Sequence, residues 1–256
     1  MGNAASTRCL LVDIGNSNLK WALYEQGELS VTRSHPHRSI SASSLAEQCW
    51  GGITQPDAIY LASVAEATLG RQLGDWMKTR WGHSPFLVRS EACALGVTNG
   101  YDDPAQLGVD RWLTLLAVHA IEQRSACIVD CGTALTIDLL DMNGQHHGGM
   151  ILPGLHLMRE ALLARTHIPR VEGVPADTLF SRNTATAVAS AAINAAAGLI
   201  ERSLREAALL CGETARLILT GSDARVIAAI IEQPCEIDSD LVMKGLVAIA
   251  RSRAHS

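Results

Sequence analysis

Val12-Asp13-Ile14-Gly15-Asn16-Ser17 returns 117 residues later as Val129-Asp130-Cys131-Gly132-Thr133-Ala134, and Gly27 returns at the same offset as Gly144. In each copy an apolar run delivers an aspartate, a glycine follows two positions on, and a small polar residue follows the glycine. A second apolar stretch then ends in a glycine-containing turn. This is the pattern of a buried strand, a tight turn and a β-hairpin. Because glycine lacks a Cβ, the backbone can turn sharply there and bring amide groups close to a phosphate. One Asp-x-Gly is an ordinary strand turn, but two at matched positions predict a duplicated α/β protein with a nucleotide in the cleft between its halves.

Working outward from the first copy, Leu19 to Leu23 and Leu29 to Thr32 flank Glu25-Gln26-Gly27-Glu28 as a hairpin, and Ser34 to Ser44 reads as a polar loop. Ile59 to Val64 is a buried strand, Leu69 to Trp81 an amphipathic helix and Pro85 to Val88 a short strand. Glu91 to Leu107 is rich in turn formers and leads into a helix from about Asp110 to Glu122. The second copy repeats the hairpin over Ala126 to Leu140, with Met142-Asn143-Gly144 as its turn, and a helix follows from Leu155 to Ala164. Asn183 to Cys211 is alanine-rich and free of proline, a long helix able to pack closely. Arg216 to Thr220 is a strand, followed by helices near Ala224 to Ile231 and Asp240 to Ser252. The expected halves are residues 1–107 and 108–256.

Composition narrows the function without naming it. The chain has 256 residues, 48% hydrophobic and 4% aromatic, enough for one large or two small cores. A net charge of −5 with no basic run gives no reason to expect nucleic acid, so a small molecule is the expected partner. Seven dispersed cysteines, none in a C-x-x-C pair, favour neither a disulfide framework nor zinc and read as small core residues in a reducing compartment. Met1-Gly2-Asn3-Ala4-Ala5-Ser6 satisfies the short N-myristoylation pattern. One acyl chain binds membranes only marginally, and Cys9 to Ile14 is too short to span a bilayer. The cytoplasm is the expected compartment, with no membrane partner.

Several side chains beside these turns suit phosphate chemistry. Lys20, on the strand leaving the first turn, offers an ammonium to β- or γ-phosphate charge. Asp13 and Asp130 beside polyphosphate would repel it unless a cation intervened, which implies a metal. Gly108-Val109-Asp110-Arg111 is the other candidate site. Asp110 stands where a helix cap is expected, and equally where a base could take the proton of an attacking hydroxyl while Arg111 holds an anionic group. The two roles are compatible. A carboxylate suffices as base because a loose phosphoryl transition state needs little early deprotonation of the nucleophile. His35, His37, His146 and His147 lie in or near polar turns without supporting ligand spacing and read as surface residues.

Asp13-Ile14-Gly15-Asn16-Ser17-Asn18-Leu19-Lys20 resembles the first phosphate motif of the type III pantothenate kinases, D-x-G-N-[ST]-x-x-K, and Asp130-Cys131-Gly132-Thr133-Ala134 resembles their second, D-x-G-T-A. Gly100-Tyr101, Pro104, Leu107 and Gly108-Val109-Asp110-Arg111 are similar to their G-Y-x-x-P-x-x-L-G-x-D-R motif, and Gly148-Gly149 with Pro153-Gly154 to their G-G-x-I-x-P-G run. The four motifs keep their order over about residues 10 to 155. The resemblance implies the actin, sugar-kinase and heat-shock ATPase superfold, whose duplicated ribonuclease-H-like halves clamp a nucleotide. It implies ATP-dependent phosphorylation of pantothenate to 4'-phosphopantothenate, the first step of coenzyme A biosynthesis. ATP would be bound by Asp13, Ile14, Gly15, Asn16, Ser17, Asn18, Leu19, Lys20 and Thr133, with Asp13 near Mg²⁺. Asp110 would be the base, while Tyr101, Gly108, Val109, Asp110 and Arg111 bind pantothenate. Asp130 would hold K⁺ or NH₄⁺, and Thr184 would reach pantothenate across a homodimer, although a threonine near a helix start also reads as a cap. A dimer predicts that the Asp110 helix and the alanine-rich helix are partly exposed in one copy. One departure stands out: Thr220-Gly221-Ser222-Asp223 replaces T-G-G-D, so a side chain at Ser222 restricts the backbone's approach to the base or ribose.

Two other classes share such a fold. A polyphosphate or nucleotide phosphohydrolase would use water as nucleophile and has no reason to carry the Gly-Tyr to Asp-Arg motif. An ATP-driven binding module of the actin type needs insertions for which 256 residues leave little room.

Overall fold

The computed structural model describes residues 7–170 and 178–254. The Met1-Gly2-Asn3-Ala4-Ala5-Ser6 start therefore lies outside the described residues. Two compact units are present.

The first unit comprises residues 7–95, 101–121 and 240–254 among those described. It contains β1 (Cys9–Ile14), β2 (Asn18–Glu25), β3 (Glu28–Leu29), β4 (Arg33–Pro36), α1 (Ala42–Trp50), β5 (Ala58–Ser63), α2 (Ala67–Trp81), β6 (Phe86–Leu87), β7 (Cys93–Ala94), α3 (Val109–Ile121) and α7 (Leu241–Ala254). The second, residues 96–100 and 122–239 with 171–177 undescribed, contains β8 (Val97–Thr98), β9 (Ala126–Cys131), β10 (Ala134–Leu140), β11 (His146–Pro153), α4 (Leu155–Leu163), α5 (Thr184–Cys211), β12 (Arg216–Thr220), α6 (Ala224–Ala228) and β13 (Cys235–Ile237).

The repeat seen in the sequence is a repeat of topology. The first sheet runs β3-β2-β1-β5-β6 and the second β11-β10-β9-β12-β13. In each, the strand ending in Asp-x-Gly pairs antiparallel with its hairpin partner on one side and parallel with a crossover strand on the other. Asp13 is opposite Lys20 across the first hairpin, and Asp130 opposite Thr136 across the second.

Side-chain alternation decides what each face buries. Leu10, Val12 and Ile14 join Leu45, Trp50, Leu73, Met77 and Trp81 in the core between the first sheet and α1 and α2. Trp76 sits edge-on to Trp81 at 5.4 Å and within 6.1 Å of Trp50, which fixes α1 against α2. Elsewhere in this unit α7 packs on β1, β2 and α3. A Cβ at Gly245 would collide with the Leu113 carbonyl, so α7 and α3 approach backbone to backbone. In the second unit the small-residue stripe Ala192, Ala196, Ala197 and Ile200 of α5 packs with Val129, Leu135 and Ile137. Among the described residues α5 is also the one helix long and apolar enough by composition to cross a membrane, with a mean hydropathy of 1.2.

Four expectations change on the structure. The expected boundary at 107/108 cuts the chain once, whereas the compact units interleave, because α3 and α7 belong with the first sheet. The strand expected over Leu29 to Thr32 is broken: the Ser30 hydroxyl accepts from the Leu23 amide at 2.9 Å, interrupting the ladder and leaving Val31 exposed. Pairing resumes only at β4, inside what reads as a polar loop. The same stretch hides the start of α1, capped by Ser41, whose side chain accepts from the Ser44 amide. Finally, the Asp110 helix is not exposed, since Val109 and every residue from Arg111 to His119 are buried within the unit. The alanine-rich helix does keep an open face, with Leu209 and Leu210 exposed.

Candidate functional site

The first turn projects from the end of β1. Asp13 is 7% exposed there, Lys20 is half-buried, and Asn16 and Asn18 are exposed. Ile14 and Leu19 are core residues that offer the site only their backbone. The Gly15 amide donates to the Asn18 carbonyl at 3.0 Å, so this glycine closes the turn. His37, read from sequence as a surface residue, is half-buried against it: Nε2 donates to the Gly15 carbonyl at 2.7 Å, and its backbone amide to the Ser17 carbonyl at 3.3 Å.

The second turn is built differently. Its Gly132 amide donates to the Ala134 carbonyl at 3.1 Å, and the Gly154 amide to the Thr133 carbonyl at 2.9 Å. A Cβ at Gly154 would collide with the Gly132 carbonyl, which explains why the Pro153-Gly154 pair ends β11 here. Gly221, at φ +90°, presses on the same turn, and its Cβ would fall 2.5 Å from both the Asp130 carboxylate and the Cys131 backbone. The Asp223 amide donates to the Cys131 carbonyl at 2.9 Å, so the Gly221-Ser222-Asp223 loop is tied to this turn. Burial raises the Asp223 carboxyl above its ordinary value, against the opposing pull of Arg159, His156 and the Ser222 hydroxyl. Burial, aided by the Asp130 and Asp223 charges, pushes the Cys131 thiol up to about 12, which keeps it neutral and unreactive. Of the cysteines expected in the core, Cys9, Cys49, Cys127 and Cys131 are buried, Cys211 and Cys235 half-buried and Cys93 exposed.

The third cluster lies in the first unit around the start of α3. Gly108 accepts from the Trp112 amide and so occupies the cap position expected of Asp110. The Asp110 carboxylate accepts from the Arg111 amide at 2.8 Å and folds back over Gly108, where a Cβ would come within 2.6 Å of it. Arg111, only 4% exposed, donates to the Tyr101 hydroxyl at 2.7 Å and lies 5.4 Å from its ring centre. Val109 is buried and contributes packing and backbone. Thr184 is exposed in the first turn of α5 and is not its cap, because Asn183 accepts from the Thr186 amide.

A buried pair was invisible as such in the sequence. His146 is fully buried rather than on the surface, with Nε2 2.9 Å from Oδ1 of Asp138, itself 1% exposed. The missed signal was Asp138 within the apolar run Leu135 to Leu140, since a carboxylate in such a run needs a buried partner.

Among the described residues no three His, Cys, Asp or Glu side chains gather as a metal cluster. A Mg²⁺ ion keeps waters and substrate phosphates as ligands and asks the protein for only one or two carboxylates. Asp13 beside the first turn is a fitting donor.

The family model for type III pantothenate kinase matches residues 9–206. The chain is 31% identical to the type III pantothenate kinase of Nitrosococcus oceani, covering 94% of this chain and 93% of that one. It is 35% identical to that of Aromatoleum aromaticum (96% and 98%) and 36% identical to that of Azoarcus sp. (96% and 91%). Among solved structures it is similar to a glucokinase from an Antarctic psychrotroph, with TM-score 0.50, 11% identity and coverage of 96% and 99%. It is also similar to MreB 5 of Spiroplasma citri bound to AMPPNP, with TM-score 0.52, 9% identity and coverage of 97% of both chains. The fold is thus that of the sugar kinases and actin-like ATPases, and with its motifs and most of its length matched, the chain belongs to the type III pantothenate kinase family.

Proposed function

We propose that this chain transfers the γ-phosphate of ATP to the primary hydroxyl of pantothenate, giving 4'-phosphopantothenate and ADP in the first step of coenzyme A biosynthesis. The observation that carries the reading is the Asp110-Arg111-Tyr101 cluster, a carboxylate and a guanidinium held in fixed geometry within a chain of this family. The pantothenate hydroxyl attacks Pγ, the bond from Pγ to the β,γ-bridging oxygen breaks toward ADP, and the hydroxyl proton passes to Asp110. Gly108 gives the carboxylate room, and the Arg111 amide orients it. Arg111, steadied by Tyr101, attracts the pantothenate carboxylate.

In this reading Asp13, Ile14, Gly15, Asn16, Ser17, Asn18, Leu19 and Lys20 hold the ATP phosphates together with Thr133, and Lys20 neutralises the charge that develops on them. Mg²⁺, bound near Asp13, supplies further neutralisation of the phosphates. Asp130 holds a monovalent cation, K⁺ or NH₄⁺, beside the second turn, where the Gly221 and Gly132 backbones come close to its carboxylate. Thr184 contacts pantothenate in a homodimer, and the enzyme works in the cytoplasm.

The test is ADP release by the purified protein with Mg-ATP, with and without pantothenate, in Na⁺ and then in K⁺ or NH₄⁺. Release that needs both pantothenate and K⁺ or NH₄⁺ is expected. Release without pantothenate would instead make the chain a hydrolase.

A further inference from the structure

We infer that His146 and Asp138 are positioning residues for the pantothenate site, acting through the Gly100 amide on the backbone that carries Tyr101; the inference rests on the pantothenate reading above. The Gly100 N–H donates to Nδ1 of His146 at 3.3 Å. With Nδ1 accepting, the ring proton sits on Nε2 and donates to Asp138 at 2.9 Å. Asp138 therefore selects the tautomer that leaves an acceptor for Gly100.

The surrounding backbone makes the same attachment. Thr98 donates to the Gly144 carbonyl at 2.8 Å and bridges Gln145 in parallel, so residues 96–100 lie along the β10–β11 hairpin. A Cβ at Gly100 would collide with the His146 carbonyl, so only glycine allows this approach. The next residue is Tyr101, whose hydroxyl is held by Arg111. Tyr101 is thus held at its hydroxyl by Arg111, and the residue before it is held by the buried pair.

Packing alone does not account for the pair. A buried ionisable couple is often replaced by apolar residues of the same volume without loss of stability, but an apolar residue offers no acceptor to Gly100.

The test separates the two hydrogen bonds of the ring. In His146→Asn the side-chain oxygen takes the place of Nδ1 and keeps the Gly100 acceptor. In His146→Gln the amide reaches toward Asp138 and abandons Gly100. The Gln variant is expected to raise the pantothenate KM about ten-fold, the effect of one buried hydrogen bond, with the ATP KM unchanged and faster hydrogen exchange at the Gly100 amide. The Asn variant is expected to recover most of both. Asp138→Leu, which leaves His146 in place but frees its tautomer, provides a second route to the same pantothenate-specific rise. Equal pantothenate KM values for the Asn and Gln variants, or a parallel rise in ATP KM, would overturn the inference. Wild-type protein that releases no ADP with pantothenate fails the kinase reading instead. That failure is separable, because the exchange contrast at Gly100 is read without substrate.

Discussion

The two Asp-x-Gly turns have the same strand order and the same glycine spacing, yet they are held by different means. The first, at Gly15, is closed by its own hairpin and clasped by the His37 side chain and amide, with Lys20 on the outgoing strand. The second, at Gly132, has no cation on its hairpin partner opposite Asp130, where Thr136 stands, and is enclosed by the backbones of Gly154 and Gly221. Duplication preserved the backbone path while the chemistry diverged. A turn steadied by side chains can be retuned one residue at a time, whereas one enclosed by glycine backbone tolerates no added atom.

Asp110 lies outside both turns and sets the scale against which they are compared. Asp110→Asn should lower kcat by about 10²–10⁴-fold, the usual worth of a positioned base, with thermal stability nearly unchanged. Steady-state kinetics beside a melting curve checks this, and retained turnover would leave Asp110 only an ordering role at the start of α3.

The turns themselves should separate next. Lys20→Ala is expected to cost about 10²-fold in kcat/KM for ATP through lost charge stabilisation, and Thr133→Ala less than about ten-fold. Equal losses would mean that the turns share the phosphate charge evenly. Stability should divide them in the opposite direction. Gly221→Ala combines φ +90° with contacts at 2.5 Å and should destabilise by about 2–4 kcal/mol. Gly15→Ala meets only the Asn18 carbonyl at 3.3 Å and should cost about 1 kcal/mol or less. Denaturant titration of the two variants reads the difference directly.

Smaller effects sharpen the same contrast. His37→Ala should raise the ATP KM about five-fold by loosening the first turn, without moving the pantothenate KM. At the second turn, the raised Asp223 carboxyl predicts a pH signature. A raised acid binds its proton more tightly when folded, so its contribution is favourable at low pH and is lost as pH rises through the folded-state value. Asp223→Asn should therefore raise Tm slightly at neutral pH, a gain that disappears below the ordinary carboxyl value of 3.8. A gain of equal size at both pH values would trace to packing.

Much of the architecture could be read in advance because it is encoded locally. The Asp-x-Gly turns, the hairpin glycines Gly27 and Gly144, and the apolar periodicity of α2 and α5 each need only a few neighbouring residues to declare themselves. The helix α1 escaped because its capping serine sits in a polar stretch, and its burial depends on indoles from α2. The burial of α3 escaped because its cover, α7, comes more than a hundred residues later.

The sequence by itself determined the duplication, the fold class and the residues gathered at the two turns and at Gly108 to Arg111, since all rest on short-range pattern and spacing. Only the tertiary structure decided which residue caps α3, that His37 clasps the first turn, that Gly154 and Gly221 enclose the second, and that His146 is buried on Asp138 with Gly100 against it. Those outcomes depend on backbone approaches between distant segments, and a chain read in order carries no signal for which of its polar groups will meet when water is excluded.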